Sequence, residues 1–213
     1  MKAGKIIPIV LAVCGLAFWP LPTNATLITI QIEAIVDSVD DSGNYLEGQI
    51  NPGDIITGYY TYESTTLDSS PLDPVVGHYY HYSPPSGVSL TVGGFEFETD
   101  SANVDFLIAI ANDVTSGGLH DSYWIHSYNN LPLSNSVSVD EISWSLRDYS
   151  ATALSSDALP TTAPVLDDWQ INLLRLRGQR AGYIVDAHVT SAIPEPTTFL
   201  LLGLGSLLLR KRS

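Results

Sequence analysis

The amino-acid sequence predicts an all-β protein with a single antiparallel domain, of the β-sandwich or jelly-roll kind, over residues 26–192. Short runs of alternating apolar and polar residues recur along this part of the chain, and each run is typical of a half-buried strand. The 16 glycines, 13 prolines and 11 tyrosines suit strands joined by tight turns. No stretch of useful length repeats apolar residues at the helical period, which argues against a helical bundle.

The first strand shows the clearest alternation. Apolar residues occupy every second position from Ile28 to Val36, which predicts a strand with one buried face. The acidic segment 37–44 is predicted to be a loop. Alternating runs at 88–92 and 95–97, on either side of Gly93-Gly94, predict a tight hairpin. The other predicted strands lie at residues 55–63, 75–82, 104–114, 123–128, 142–147, 169–177 and 183–190.

Two of these segments carry further information. Residues 104–114 are almost continuously apolar, which predicts a central strand covered on both faces. The last two strands flank Gly178–Gly182 and are predicted to form a final hairpin. Residues 151–163 are polar and contain serine and proline, so they are predicted to be irregular.

The charge of the domain argues against nucleic acid as a partner. Residues 26–193 contain four arginines and 22 acidic residues, a net charge of −18. A surface this acidic repels a phosphate backbone. The chain has one cysteine, Cys14, which precedes the domain. The domain therefore has no disulfide, no thiol nucleophile and no cysteine-ligated metal.

Residues 1–25 have the order of a secretory signal peptide. Lys2 and Lys5 are followed by an apolar run at residues 6–18, predicted to be the signal helix, and by a small-residue site that ends at Ala25. This order predicts Sec export across the inner membrane and cleavage by signal peptidase after Ala25.

The C-terminal segment 193–213 has three parts. Pro194-Glu195-Pro196 is followed by an apolar run at residues 199–209, predicted to be a short hydrophobic helix, and then by a basic cluster. The cluster consists of Arg210, Lys211 and Arg212. Positive charge after an apolar run favours retention on the cytoplasmic side, so the tail is predicted to enter the inner membrane at least transiently.

These three parts in this order resemble the PEP-CTERM sorting signal of exported proteins from Gram-negative bacteria that make exopolysaccharide. The resemblance implies that an exosortase, a protease-like membrane transpeptidase, recognises Pro194-Glu195-Pro196 and removes the tail. It also implies delivery to the cell envelope or surface, or release into an exopolysaccharide matrix.

The aromatic residues offer the most suggestive binding chemistry in the domain. Tyrosines recur in two predicted strands, and their ring faces could stack against sugar rings. The candidate glycan contacts are Tyr60, Tyr62, Tyr80 and Tyr82. The alternative is that these rings pack in the core or between neighbouring strands.

Oxygen-rich side chains suggest one candidate metal site. Asp37, Asp40, Asp41 and Asn44 could supply oxygen ligands for calcium, although their order departs from the EF-hand pattern. The alternative is a solvated turn that uses these residues for its geometry. No other cofactor is predicted. His78 and His81 would point to opposite faces of one strand, which argues against their sharing a metal.

Catalytic signatures are lacking in the sequence. There is no G-x-S-x-G elbow and no glycine-rich phosphate loop. Closely spaced carboxylates fit a solvated surface, and they occur at Glu96/Glu98, Asp140/Glu141 and Asp167/Asp168. The sequence therefore predicts a non-catalytic exported protein with a structural or adhesive role at the cell surface or in the matrix. The alternatives are a carbohydrate-binding module, a calcium-dependent adhesin and a secreted hydrolase.

Overall fold

A computed structural model describes residues 26–195, which form ten antiparallel strands and one 3₁₀ turn, Leu166–Asp168. The strands are β1 (Leu27–Asp40), β2 (Ile55–Glu63), β3 (Val76–His81), β4 (Gly87–Val92), β5 (Phe95–Glu98), β6 (Phe106–Val114), β7 (His120–Ser127), β8 (Val139–Asp148), β9 (Ile171–Gly178) and β10 (Tyr183–Pro194). The prediction of an all-β antiparallel fold is confirmed. The predicted signal helix and C-terminal helix lie outside the described residues.

The strands form one continuous sheet in the order β3-β6-β7-β8-β9-β10-β1-β2-β4-β5, and not the two separate sheets of a sandwich. The sheet curls so that its inner face closes on itself. Tyr60 of β2 and Tyr123 of β7 share a hydrogen bond of 3.0 Å although four strands lie between them in the sheet. The end of β5 also bonds to the segment after β7, where the Leu131 amide donates to the Glu98 carbonyl at 2.8 Å.

The first strand confirms the predicted alternation and extends beyond it. Ile30, Ile32, Ala34 and Val36 are buried in the core. The predicted loop at 37–44 begins too early, because β1 continues to Asp40, where it pairs with Ile184 of β10. Pairing with a long partner strand thus overrides the turn preference of the acidic residues.

Both predicted hairpins are confirmed. β4 pairs with β5 around Gly93 and Gly94, whose positive φ values of 57° and 80° suit glycine. β9 pairs with β10 from Tyr183 to Ala187. The irregular segment at 151–163 is also found, and it contains no strand.

The strand predicted to be central, β6, lies second from one edge of the sheet, beside β3. The prediction that both of its faces are covered is confirmed. Phe106, Ile108 and Ile110 belong to the core cluster. Leu107 and Ala109 alternate with them and are buried on the opposite, outer face.

Candidate functional site: an aromatic patch on the outer face

Aromatic rings from two strands cover the outer face of β6. His78 and Tyr80 on β3 pair with Ala109 and Leu107 of β6, which pair in turn with Trp124 and His126 on β7. Neighbouring strands lie about 4.8 Å apart, so the two lines of rings flank β6 at a separation of about 10 Å. We call this set the outer aromatic patch. It comprises His78, Tyr80, Tyr82, Trp124, His126 and Tyr128.

Neighbouring rings of the patch contact one another along each strand. Tyr80 and Tyr82 have centroids 5.9 Å apart and planes within 2° of parallel. His126 and Tyr128 stack at 3.8 Å with planes 10° apart, and Trp124 meets His126 edge-on at 5.2 Å. The exposed fractions are 68% for Tyr82, 39% for Tyr128 and 37% for Tyr80 and for Trp124. Four large rings are therefore available to a ligand on one face of the sheet.

Two groups in the patch have shifted pKa values. Burial lowers the pKa of His126; the charge of Glu141 opposes this to a smaller extent, and the charge of Arg177 adds to it. Burial, followed by the neighbouring Tyr80 and Asp105, raises the pKa of the Tyr128 hydroxyl. Both shifts favour the uncharged forms of these rings at neutral pH.

Ionic side chains next to the patch are paired with one another. Arg177 Nη2 lies 2.6 Å from Glu141 Oε2, and Arg175 makes two hydrogen bonds to Asp186 at 2.7 and 2.9 Å. Ser143 donates to Glu141 at 2.8 Å. The border of the patch thus offers hydroxyl, guanidinium and carboxylate groups within a strand or two of the rings.

The four tyrosines predicted as glycan contacts are divided between the two faces of the sheet. Tyr80 and Tyr82 lie in the outer aromatic patch. Tyr60 and Tyr62 are 0% exposed and lie in the core, so they are not available to a glycan. Their hydroxyls bond to Tyr123 and to the Pro160 carbonyl, and burial raises the pKa of both.

Trp124 and Tyr128 are patch residues that the prediction did not include. Trp124 lies on β7 and Tyr128 follows directly after it. The signal that could have found them is their spacing. Trp124, His126 and Tyr128 fall at alternate positions along β7 and its immediate extension and therefore share a face.

The candidate calcium ligands do not point at a common centre. Asp37 Oδ1 lies 2.7 Å from His188 Nδ1, and Asp41 accepts backbone N–H bonds from Tyr45 and Leu46 at 2.7 and 2.8 Å. Asp40 ends β1, and Asn44 has a positive φ of 53° in the turn that follows. In the described part of the chain, no group of three His, Cys, Asp or Glu residues is placed to hold a metal ion.

The sorting motif is only partly described. Pro194 ends β10 and Glu195 follows it, whereas Pro196, the basic cluster Arg210, Lys211 and Arg212, and the predicted cleavage residue Ala25 lie outside the described residues. Between residues 26 and 195, no helix has the length and apolar character needed to cross a membrane.

Comparison with known families identifies the class of protein. A family model described as the PEP-CTERM protein-sorting motif matches residues 192–213. The chain thus carries the sorting signal of an exported protein. This PEP-CTERM motif implies that the protein is sorted by an exosortase. The comparison with curated proteins gave no match, and the comparison with solved structures gave none.

Proposed function

We propose that the domain is a non-catalytic adhesive module of the Gram-negative cell envelope or exopolysaccharide matrix, and that it contacts glycan through the outer aromatic patch. The observation that carries this proposal is the pair of stacked, exposed ring surfaces on one face of a rigid sheet. The C–H bonds on the face of a sugar ring pack well against the electron-rich face of an aromatic ring. Exposed apolar patches with polar borders are typical of binding surfaces.

The negative charge of the domain favours a neutral glycan over an acidic one. The domain carries a net charge of −18, and Asp105 and Glu141 lie close enough to the patch to influence its pKa values. A polysaccharide rich in uronic acids would be repelled on approach. The ligand proposed is therefore a neutral glycan, held by ring stacking and by hydrogen bonds from the polar border.

A non-catalytic role agrees with how the carboxylates near the patch and in the core are used. Glu141 pairs with Arg177, and Asp186 pairs with Arg175. Asp148 and Asp121 accept backbone N–H bonds that fix neighbouring loops. These groups serve as structural acceptors, and the proposal assigns none of them to acid–base chemistry.

Affinity electrophoresis tests this function. The full chain, purified in mild detergent, would be run through gels that contain a neutral glucan, a neutral mannan or a uronate polymer. We expect retardation by at least one neutral polymer that is insensitive to added salt, because stacking is not screened by ions. Equal mobility in all gels, or retardation by the uronate polymer alone, would contradict the proposal.

A further inference from the structure

The sorting motif is attached to the sheet. β10 continues beyond residue 192, the predicted end of the domain, and its pairing with β1 extends to Gln31↔Ile193 and Ile30↔Pro194. The Glu195 amide then donates to the Thr29 carbonyl at 2.9 Å, and Gln31 Nε2 donates to Glu195 Oε1 at 3.2 Å. Two of the three motif residues are thus held against β1.

In the described part of the chain, this end of β10 pairs with one neighbouring strand. β9 pairs with β10 from Tyr183 to Ala187, and the Asn172 side chain bonds to the backbone of Val189. Beyond Val189, the hydrogen bonds described for β10 go to β1, including one from the Thr190 hydroxyl to the Glu33 carbonyl at 3.2 Å. A strand end with one neighbour opens at a lower free energy than a strand within the sheet.

The outer side of the paired ends of β1 and β10 is open to solvent. A depression of about 340 Å³ lies beside it and is lined by Gln31, Thr57, Tyr59 and Ile193, among others. Pro194 lacks an N–H group and so adds no donor to the pairing with β1. The side chains of Gln31 and Ile193 can therefore be changed without disturbing the core.

The folded sheet and the membrane segment lie close together along the chain. Three residues separate Glu195 from Phe199, where the apolar run begins, and the four Cα–Cα steps between them span at most about 14 Å when extended. An enzyme that cuts at the motif must enclose the peptide backbone, and one edge of that backbone is already bonded to β1.

We propose that β1 is a latch on the sorting motif, and that processing requires residues 191–195 to separate from β1. The latch consists of the backbone bond from Glu195 to Thr29 and the side-chain bond from Gln31 to Glu195. Opening and closing of this strand end sets the fraction of chains whose motif an exosortase can bind. The proposal rests on the motif being an exosortase substrate.

A disulfide that closes the latch gives the sharpest test. Gln31→Cys with Ile193→Cys joins two exposed, directly paired residues, and the only native cysteine, Cys14, lies in the predicted signal peptide. Glu33→Cys with Thr57→Cys is the matched control, because it joins β1 to β2 and leaves β10 untouched. Both variants would be expressed in the native host, and the mass of the envelope protein would be followed with and without reductant.

We expect the Gln31–Ile193 cross-link to retain the tail and reductant to restore its removal, while the control is processed like the unmodified chain. Processing of the cross-linked chain at the normal rate would overturn the latch. Retention of the tail by the unmodified chain would instead show that sorting by exosortase fails, and the latch would fall with it.

A second variant needs no disulfide. Gln31→Glu places a carboxylate against that of Glu195 and should open the latch, so that pulse-chase labelling shows removal of the tail at least twofold faster. Gln49→Glu, an exposed change in the turn after β1, is the control for added charge. An unchanged or slower rate for Gln31→Glu would count against the latch.

Discussion

The two faces of the curled sheet use the same residue types for different purposes. On the inner face, Tyr60, Tyr62 and Tyr123 are buried and Trp144 contacts two of them edge-on. On the outer face, Tyr80 stacks on Tyr82 and Trp124 meets His126 edge-on, and Tyr80, Tyr82 and Trp124 all remain partly exposed. Residue type alone therefore does not separate core aromatics from exposed ones, whereas the face of the strand does.

Hydrogen bonding distinguishes the faces as well. Each inner tyrosine hydroxyl has a protein partner, such as the Asp157 carbonyl for Tyr79 at 2.9 Å and the Ser138 carbonyl for Tyr183 at 3.1 Å. Trp144 donates to Asn172 Oδ1 at 2.9 Å. Buried polar groups need such partners because their loss of water is otherwise uncompensated. The inner aromatics thus fix the fold, and the outer ones are free to contact a ligand.

The largest effect on stability is expected from the inner tryptophan. Trp144→Ala would leave a cavity against Tyr60 and Tyr123 and remove the indole N–H donor to Asn172 Oδ1, so the free energy of unfolding should fall by about 4 kcal/mol. Trp124→Ala on the outer face should lower it by about 1 kcal/mol or less. Urea denaturation measures both, and equal losses would break the distinction between the faces.

Replacing the buried carboxylate of Asp148 should give the next largest effect on the free energy of unfolding. Asp148 shares the inner-facing parity of Trp144 and accepts bonds from the amides of Ser150, Thr152 and Ala153 and from Gln170. Burial tends to raise its pKa, but the hydrogen bonds from Ser150, Thr152 and Gln170 outweigh burial and hold the pKa well below its usual range.

Asp148→Asn should therefore lower the free energy of unfolding by about 3 kcal/mol, because an amide group would face backbone donors. Asp186→Asn, which breaks an outer ion pair with Arg175, should lower it by about 0.5 kcal/mol. Thermal unfolding at neutral pH compares the two variants. A larger loss for Asp186→Asn would contradict the assignment of Asp148 as the anchor of the loop after β8.

The two histidines of β3 lie on opposite faces and should differ in how they affect the pH dependence of stability. Burial lowers the pKa of His81, on the inner face, to about 4, and the charge of Glu63 opposes this only partly. The unfolded chain binds a proton below about pH 6.5, whereas the folded chain does so only near pH 4. The free energy of unfolding should therefore have its full value above about pH 6.5 and should fall by about 2–3 kcal/mol as pH decreases to 4.

His81→Phe should remove most of this acid-dependent step, since Phe106 and Tyr62 already surround the site with aromatic groups. His78→Phe, on the outer face, should retain the step because His81 is unchanged. Urea denaturation across this pH range measures it. If His81→Phe still loses stability over this pH range, the loss belongs to other titrating groups.

Much of the fold could be predicted from the sequence because the signals are local. The alternation from Ile28 to Val36, the Gly93-Gly94 turn and the final hairpin each depend on neighbouring residues, and each is found. The two-sheet arrangement could not be excluded, because whether β10 pairs with β1 depends on residues about 150 positions apart. The end of β1 was misplaced for the same reason.

The candidate binding site, the outer aromatic patch, was predicted only in part, because alternation does not decide between faces when both carry aromatics. Ile55 and Ile56 precede Tyr59 and Tyr60, so neither parity of β2 is clearly apolar. In β3, Tyr79 and Tyr80 pose the same difficulty. The continuous apolar run of β6 could have located the patch. Its outer-face residues must be shielded from water, and the aromatic side chains of the neighbouring strands shield them.

The measurement that tests the central claim most directly is glycan affinity of the full chain with single rings removed from the outer face. Tyr82→Ala and Trp124→Ala should each weaken binding to the neutral polymer that retards the native protein by at least tenfold, or about 1.4 kcal/mol. Tyr59→Ala, which removes an exposed ring outside the outer aromatic patch, should bind normally. Normal binding by both patch variants, or an equal loss in Tyr59→Ala, would contradict the assignment of the outer aromatic patch as the glycan-binding surface.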